Sequence, residues 1–294
     1  MDLKLLNKAL DYLCCPDDGS NLENSGTKLI CTQCRRDFVV HQSGLIELLP
    51  KEPYSFKDKA SIKEDYLFWY KKSFLTPFIE NPSATAWGMK EAFTRGQLVF
   101  FEQHINFISK LVPSEGVLCD VASGDGKYIQ YFAKDHPLVF HCDLSVNDLN
   151  YSIIRAWEHG LKNVVFIRCD YLQLPFQRDS LDIVLCLDAL VRGWEHEKII
   201  LKNIHAVLKN NGIAIADFHS IRPAYLRAFI NEPIFSYSKE EIRSLADEVG
   251  IFDWEVFEFG GLPSALTPIN SLFLLNPIIR PLTGPTRYIL KLVK

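Results

Sequence analysis

From Pro113 onward the chain alternates short, almost wholly apolar runs with amphipathic ones, and the first apolar run ends in a glycine-bearing turn. The order is VLCDV, then GKYIQYFAK, LVFHCDL, a helix from Ser145 to His159 stopped by Gly160, and then VVFIRCD and LDIVLCLD. A helix through KIILKNIHAVLK, closed by Asn-Asn-Gly, and the run IAIADFH follow. Runs that are apolar at successive positions suit strands buried on both faces, and strands separated by helices run parallel. Five parallel strands are therefore expected. Ser238 to Glu241 reads as a capping box opening SKEEIRSLADEV, which Gly250 ends, while WEVFEF and TRYILKL read as two further strands. The fold class this predicts is α/β, Rossmann-like, with seven strands.

The first strand runs into Asp120-Val121-Ala122-Ser123-Gly124-Asp125-Gly126. Gly124 and Gly126 let a ligand approach the backbone, and the helix start beyond them offers free amide hydrogens to an anionic group. A dinucleotide is disfavoured, because its fingerprint needs a third glycine where this chain has Ile129. The second strand ends at Asp143, where a carboxylate can accept both hydroxyls of a ribose. The third ends in Cys169-Asp170-Tyr171: Asp170 could accept from an adenine amine, with Tyr171 and Leu144 covering the ring faces. Each acid also has a plain structural reading, since Asp at a strand end often caps the next helix.

The ordered set resembles the class I S-adenosylmethionine-dependent methyltransferases related to the ubiquinone and menaquinone C-methyltransferases. DVASGDG resembles their DVGCGTG turn, with Ala122 at the first glycine. CDYLQLPFQRDSLDIVLCLDAL, AVLKNNGIAIADF and SKEEIRSLADEVGI resemble their later segments. The resemblance implies S-adenosylmethionine as cofactor, held by Asp120, Ala122, Gly124, Gly126, Asp143, Leu144, Asp170 and Tyr171. The sulfonium is an activated leaving group, so such an enzyme chiefly orients the nucleophile, and a base is optional. Candidates beyond the strand ends are Asp188, Arg192 and His219, with His196 a further histidine nearby; Asp188 and Arg192 could face one pocket or simply pair. Tyr66, Phe68, Trp69, Tyr70 and Phe74, and the late segment GLPSALTPINSLFLLNPIIRPL, could roof an acceptor pocket or only cover the sheet.

With no secretory leader expected from the first residues, the eight cysteines read as thiols or metal ligands. Cys119, Cys142, Cys169 and Cys186 lie in apolar runs and read as core residues. Cys15-Pro16-Asp17-Asp18 and Cys31-Thr32-Gln33-Cys34 instead form two knuckles, with Asp18 where a fourth thiol would complete a tetrahedral zinc site. With the ending Gly44-Leu45-Ile46-Glu47-Leu48-Leu49-Pro50, the segment resembles small zinc-ribbon proteins that activate methyltransferases and their bacterial relatives. It implies a structural or docking module, with or without zinc. The organisation expected is a zinc-ribbon-like module over 1–50, a linker and helical cap over 51–112, and the methyltransferase domain over 113–294.

The formal net charge of -4 supplies no general field for phosphate backbone, so nucleic acid is the less favoured partner. No run is long and apolar enough for a membrane span, and a cytoplasmic location is expected. The expected function is methyl transfer to a small-molecule acceptor. The alternatives are a ribosomal-RNA guanine methyltransferase, which also carries an N-terminal zinc cluster, and a non-catalytic cofactor-binding scaffold. Nothing in the sequence sets the oligomeric state.

Overall fold

The computed structural model describes residues 2–52, 95–190, 193–221, 235–261, 280–281 and 284–294. At the N-terminus, the Asp2 side chain accepts from Lys4 N at 3.1 Å and starts α1 (Leu3–Leu10), which buries Leu6 and Ala9. Strands β1 (Leu22–Asn24), β2 (Lys28–Cys31) and β3 (Asp37–Val39) form a small antiparallel sheet, and β4 (Leu45–Glu47) leaves it. After α2 (Arg95–Ile108) come β5 (Val117–Val121), the one-turn helix α3 (Ile129–Phe132), β6 (Leu138–Asp143), α4 (Val146–Glu158) and β7 (Val164–Arg168). Then follow β8 (Leu181–Leu190), α5 (Trp194–Val207), β9 (Leu208–His219), α6 (Lys239–Val249), β10 (Asp253–Phe259) and β11 (Arg287–Val293).

The large sheet has the order β10-β11-β9-β8-β5-β6-β7-β4. Strands β5 to β9 are parallel to their neighbours, while β11 inserts antiparallel between β9 and β10. That is the seven-stranded α/β arrangement expected, with one addition. Strand β4 pairs parallel with β7, setting Ile46 opposite Ile167, and so covers an edge that would otherwise expose unpaired backbone groups.

Both faces of the parallel strands are buried, as their apolar sequences require. On one face Leu118, Val139 and Val164 meet Ile105 of α2, Ile129 of α3 and Leu149 of α4. On the other, α5 and α6 cover the β8–β9 side, and the N-terminal module covers the β5–β7 side, so that Leu6, Leu13, Leu29, Phe38 and Leu48 join one core with Val165, Ile167 and Phe176. The Cys14 amide donates to Pro175 O at 3.0 Å and the Gln177 amide to Tyr12 O at 2.8 Å. Tyr12 and Phe176 lean on Phe140, with ring centroids 5.7 and 5.0 Å away. Cys119, Cys142, Cys169 and Cys186 are free and buried in this layer, in the core role expected of them.

Two elements differ from expectation. The segment GKYIQYFAK gives only α3 and a 3-10 turn over Ala133–Asp135, because Gly126 and Ile129 are drawn into the preceding turn through Gly126 N to Ser123 O and Ile129 N to Gly126 O, each 3.2 Å. Helix α5 ends at Val207 rather than at Asn-Asn-Gly. Leu208 is fully buried opposite Leu181 and already extended, and the ladder then shifts register to Ile183–Ile213, with Asn211 left-handed at φ 65. Burial of Leu208 outweighs continuation of the helix. The helical cap expected over 51–112 is described only as α2, and Tyr66, Phe68, Trp69, Tyr70 and Phe74 lie outside the described residues, as do 262–279 of the late apolar segment. Among the described residues no helix is long and apolar enough to cross a membrane.

A module sharing its core with the sheet should unfold with it. Phe176→Ala is expected to cost about 3–5 kcal/mol and to leave one urea transition when the module and the sheet are followed by separate probes. Two separated transitions would contradict a shared core.

Candidate functional site

The turn after β5 is built by positive-φ backbone at Ala122 (54°), Gly124 (56°) and Gly126 (76°). Ala122 thus adopts the conformation glycine would take, at a cost of about 1–2 kcal/mol for a residue bearing a Cβ. Ser123 ties the turn to β6, its amide and its hydroxyl both donating to Cys142 O at 3.0 Å. A Cβ on Gly124 would meet nothing within 4 Å, whereas one on Gly126 would stand 2.9 Å from Ser152 Oγ. The turn is therefore open at Gly124 and closed against α4 at Gly126.

Asp143, at the end of β6, receives Gly124 N on Oδ2 and Ser145 N on Oδ1, each at 2.8 Å. One carboxylate thereby joins the glycine turn to the start of α4. Burial pushes the Asp143 carboxyl up, against the lowering effect of those amides. Asp148, in the first turn of α4, is pushed up to about 7 by burial and by the neighbouring charge of Asp143. Asp125 adds to the same negative field and is paired with Arg155 at 3.1 Å. Asp120 is 3% exposed and is pushed up to about 8 by burial and by Asp143, against Lys127. The turn is ringed by carboxyl groups that oppose one another's ionisation, an environment that favours a cationic ligand over a pyrophosphate.

Beyond the turn lies a second cluster. Lys127 follows Gly126 directly, and its ammonium contacts Asp188 Oδ2, while Tyr128 donates to the same oxygen at 3.0 Å. Arg287 of β11 donates to Asp188 Oδ1 at 2.7 Å, stands 3.5 Å from Asp217 Oδ2, and meets His219 Nδ1. Asp188 sits left-handed at φ 57 where the β8–β9 ladder slips, and its amide is captured by Asp217 Oδ1 at 2.6 Å. That irregularity turns its side chain toward both cations. Burial would raise the Asp188 carboxyl, but Lys127 and Arg287 outweigh it and hold it well below the usual carboxylate range. Burial and Asp188 push Asp217 up to about 7. His104, 3.4 Å from Asp217, and His219 are pulled down to about 3, chiefly by burial, and are neutral. Phe101 and Tyr128 place their rings 5.9 and 5.0 Å from the Lys127 ammonium, and Phe259 packs against His104 at 5.1 Å.

In the N-terminal module Cys15, Asp18, Cys31 and Cys34 bring one ligand atom each within 4.8 Å of one another. Cys15 Sγ and Cys34 Sγ are 3.8 Å apart, and Cys31 Sγ is 3.5 Å from both Asp18 oxygens. Zinc bonds of about 2.3 Å to sulfur and about 2.0 Å to oxygen, at tetrahedral angles, imply separations of about 3.8 and 3.5 Å. The Cys15–Cys34 and Cys31–Asp18 separations match those values.

The structure thus gathers Asp120, Ala122, Gly124, Gly126 and Asp143 at one turn, with Leu144 next to it, its carbonyl accepting from Arg168 at 3.1 Å. Asp170 is fully buried, with Oδ1 accepting from Leu172 N at 3.0 Å in a local turn, and Tyr171 is buried beside it. Asp188 and His219 meet through Arg287. Arg192 lies outside the described residues, and His196 sits in the first turn of α5. Sequence reasoning missed Lys127, Tyr128, Asp217, His104 and Arg287. Lys127 and Tyr128 adjoin the turn and Asp217 precedes the end of β9, so position could have flagged them; His104 and Arg287 come from remote elements and carried no signal.

Residues 118–212 match the family model described as a methyltransferase domain. Among solved structures the chain is similar to the YcgJ protein of Bacillus subtilis, at 14% identity over 66% of this chain and 98% of that one, with a TM-score of 0.52. It is similar to a SAM-dependent methyltransferase from Aquifex aeolicus, at 16% identity over 70% and 96%, with a TM-score of 0.50. It is also similar to phosphoethanolamine N-methyltransferase 2 of Haemonchus contortus, solved in complex with S-adenosyl-L-methionine, at 17% identity over 74% and 59%, with a TM-score of 0.51. A search of curated proteins gives no match. At such identities the structural likeness speaks to the fold alone, and that fold is the Rossmann-like methyltransferase fold. With the domain match, residues 118–212 of the chain carry a methyltransferase domain on that fold.

The raised Asp120 carboxyl has a consequence for stability. Above its unfolded value near pH 4 the unfolded chain releases this proton while the folded chain keeps it, so stability falls as pH rises from about 4 to about 8. Asparagine has no proton to release. The urea midpoint of Asp120→Asn relative to wild type should therefore rise between pH 5 and pH 8, and a difference independent of pH would mean that the buried carboxyl is ionised.

Proposed function

We propose that the methyl acceptor is a small, partly apolar molecule bound beside the Lys127–Asp188–Arg287 cluster. The observation that carries this is the adjacency of Lys127 to Gly126: the charged cluster begins one residue beyond the glycine turn. The donor would lie along that turn, with Gly124 leaving room for it, Asp143 at the turn assigned to the ribose, and Asp170 and Tyr171 assigned to the adenine. When bound, it supplies an activated methyl group and leaves as a neutral thioether. The chain's own groups orient the acceptor. Asp188, ionised between two cations, is a weak base and a strong fixed acceptor for an O–H or N–H donor; His219, neutral and engaged by Arg287, holds that guanidinium. Phe101, Tyr128 and Phe259 give the cluster an apolar flank. The resemblance to quinone C-methyltransferases agrees with such an acceptor. Phosphate backbone is disfavoured, since both cations of the cluster are engaged by carboxylates.

Asp143→Ala should weaken calorimetric S-adenosylmethionine affinity by about 1–3 kcal/mol through lost charge-assisted hydrogen bonds. Asp188→Asn should lower turnover while leaving that affinity in place. Incubated with labelled donor and cell extract, the wild-type protein should label the small-molecule fraction. Label confined to RNA would replace this reading with the ribosomal-RNA alternative.

The N-terminal segment is proposed as a zinc-ribbon-like module that holds zinc through Cys15, Asp18, Cys31 and Cys34 and serves stability and docking, because its Cys15–Cys34 and Cys31–Asp18 separations match the ion and its residues share the core of the sheet. The purified protein should carry close to one zinc by elemental analysis, and Asp18→Cys should bind it more tightly while Asp18→Ala loses it in mild chelator. Metal-free protein of unchanged melting temperature after zinc addition would reject the assignment.

A further inference from the structure

Beneath the glycine turn lies a buried polar chain that the reaction itself does not use. His141 and Ser152 are fully buried and Asp120 nearly so. Ser152 Oγ lies 2.7 Å from His141 Nε2, 3.0 Å from Gly124 O and 3.0 Å from Asp148 O. A hydroxyl has one proton and a carbonyl has none to give. If Ser152 donates to a carbonyl, it must accept from His141, so the imidazole carries its proton on Nε2. That leaves Nδ1 as an acceptor, and it faces Asp120 Oδ2 at 3.7 Å; both atoms are buried and without a hydrogen-bond partner. Two bare acceptors so placed would repel, and a proton on the carboxyl removes the conflict. The charged groups that face this chain are Arg155 toward His141, and Asp143 and Lys127 toward Asp120. Burial lowers His141 to about 3 and raises Asp120 to about 8, in keeping with a neutral pair.

We propose that Asp120, His141 and Ser152 form a neutral, proton-ordered chain that fixes the Gly124 carbonyl, making His141 and Ser152 positioning residues for the donor turn. Gly124 is then gripped on both sides: its amide by Asp143 and its carbonyl by Ser152. Ser152 also fills the space against Gly126, so the same side chain sets both glycines of the turn. This rests on the reading that the turn holds S-adenosylmethionine. It gives Asp120 a role distinct from direct contact, because its proton completes the chain rather than its charge meeting the ligand.

The test uses the full chain and S-adenosylhomocysteine as the calorimetric probe. Ser152→Ala and His141→Leu should each weaken binding roughly three- to tenfold, the range for one lost hydrogen bond. His141→Gln, which keeps an amide donor near the Nε2 position, should recover most of the His141→Leu loss. Asp120→Asn, which keeps a neutral donor, should bind more tightly than Asp120→Leu. Nitrogen-15 spectra of the histidine rings in wild-type protein at neutral pH, with His141 assigned by its absence in His141→Gln, should show a neutral ring protonated on Nε2. An imidazolium, or a ring protonated on Nδ1, overturns the proposal even if the leucine variant fails to fold. Wild-type binding that Asp143→Ala weakens but Ser152→Ala and His141→Leu leave unaltered overturns this proposal alone. No binding by wild type removes the donor reading and this inference together.

Discussion

Five parallel strands with apolar residues on both faces must be covered twice, and the other described elements are arranged around that demand. Helices α2, α3 and α4 satisfy it on one side. On the other, among the described residues, α5 and α6 cover the β8–β9 half and the N-terminal module covers the β5–β7 half with Leu13, Phe38 and Leu48. Hydrogen bonds between the 12–16 and 173–177 segments fix where it sits, and β4 extends the sheet by one strand. The module is thus both lid and edge strand, and its cysteine knuckles lie in a segment that the sheet itself holds in place.

The same parallel arrangement gathers strand ends on one side of the sheet, and the polar residues there have little water to share. Two solutions appear side by side. At the turn after β5 the carboxyls of Asp120, Asp143 and Asp148 face one another with few cations, and burial raises all three. At the ends of β8 and β9 the carboxylates instead meet Lys127 and Arg287, and Asp188 stays ionised. The first environment is short of positive charge and the second is internally balanced. The proposed cationic donor and partly apolar acceptor complement this division, with Lys127 at the boundary between the two regions.

Backbone geometry marks the same two places. Ala122 and Asp188 are both non-glycine residues in left-handed conformation, one in the turn and one at the slipped ladder of β8. Each is held by bonds that leave no alternative: Ser123 to the carbonyl of Cys142 beside Ala122, and the amide of Asp188 to Asp217. Strain of this kind persists where the surroundings over-determine the backbone, and it commonly collects at functional sites.

By itself the sequence determined the strand and helix order, the position of the glycine turn, the caps at Ser145 and Ser238, and the spacing of the knuckles, because these depend on local periodicity, turn chemistry and neighbours a few residues apart. It could not determine where α5 would stop, since Leu208 is claimed by Leu181 across the sheet. Nor could it show that Arg287 would meet Asp188 from a strand 99 positions away, or that His141 would lie between Asp120 and Ser152. Those partners meet only when the sheet order is set and water is excluded. Desolvation, which decides which of the acids keep their protons, is a property of the packed interior and of no stretch of chain alone.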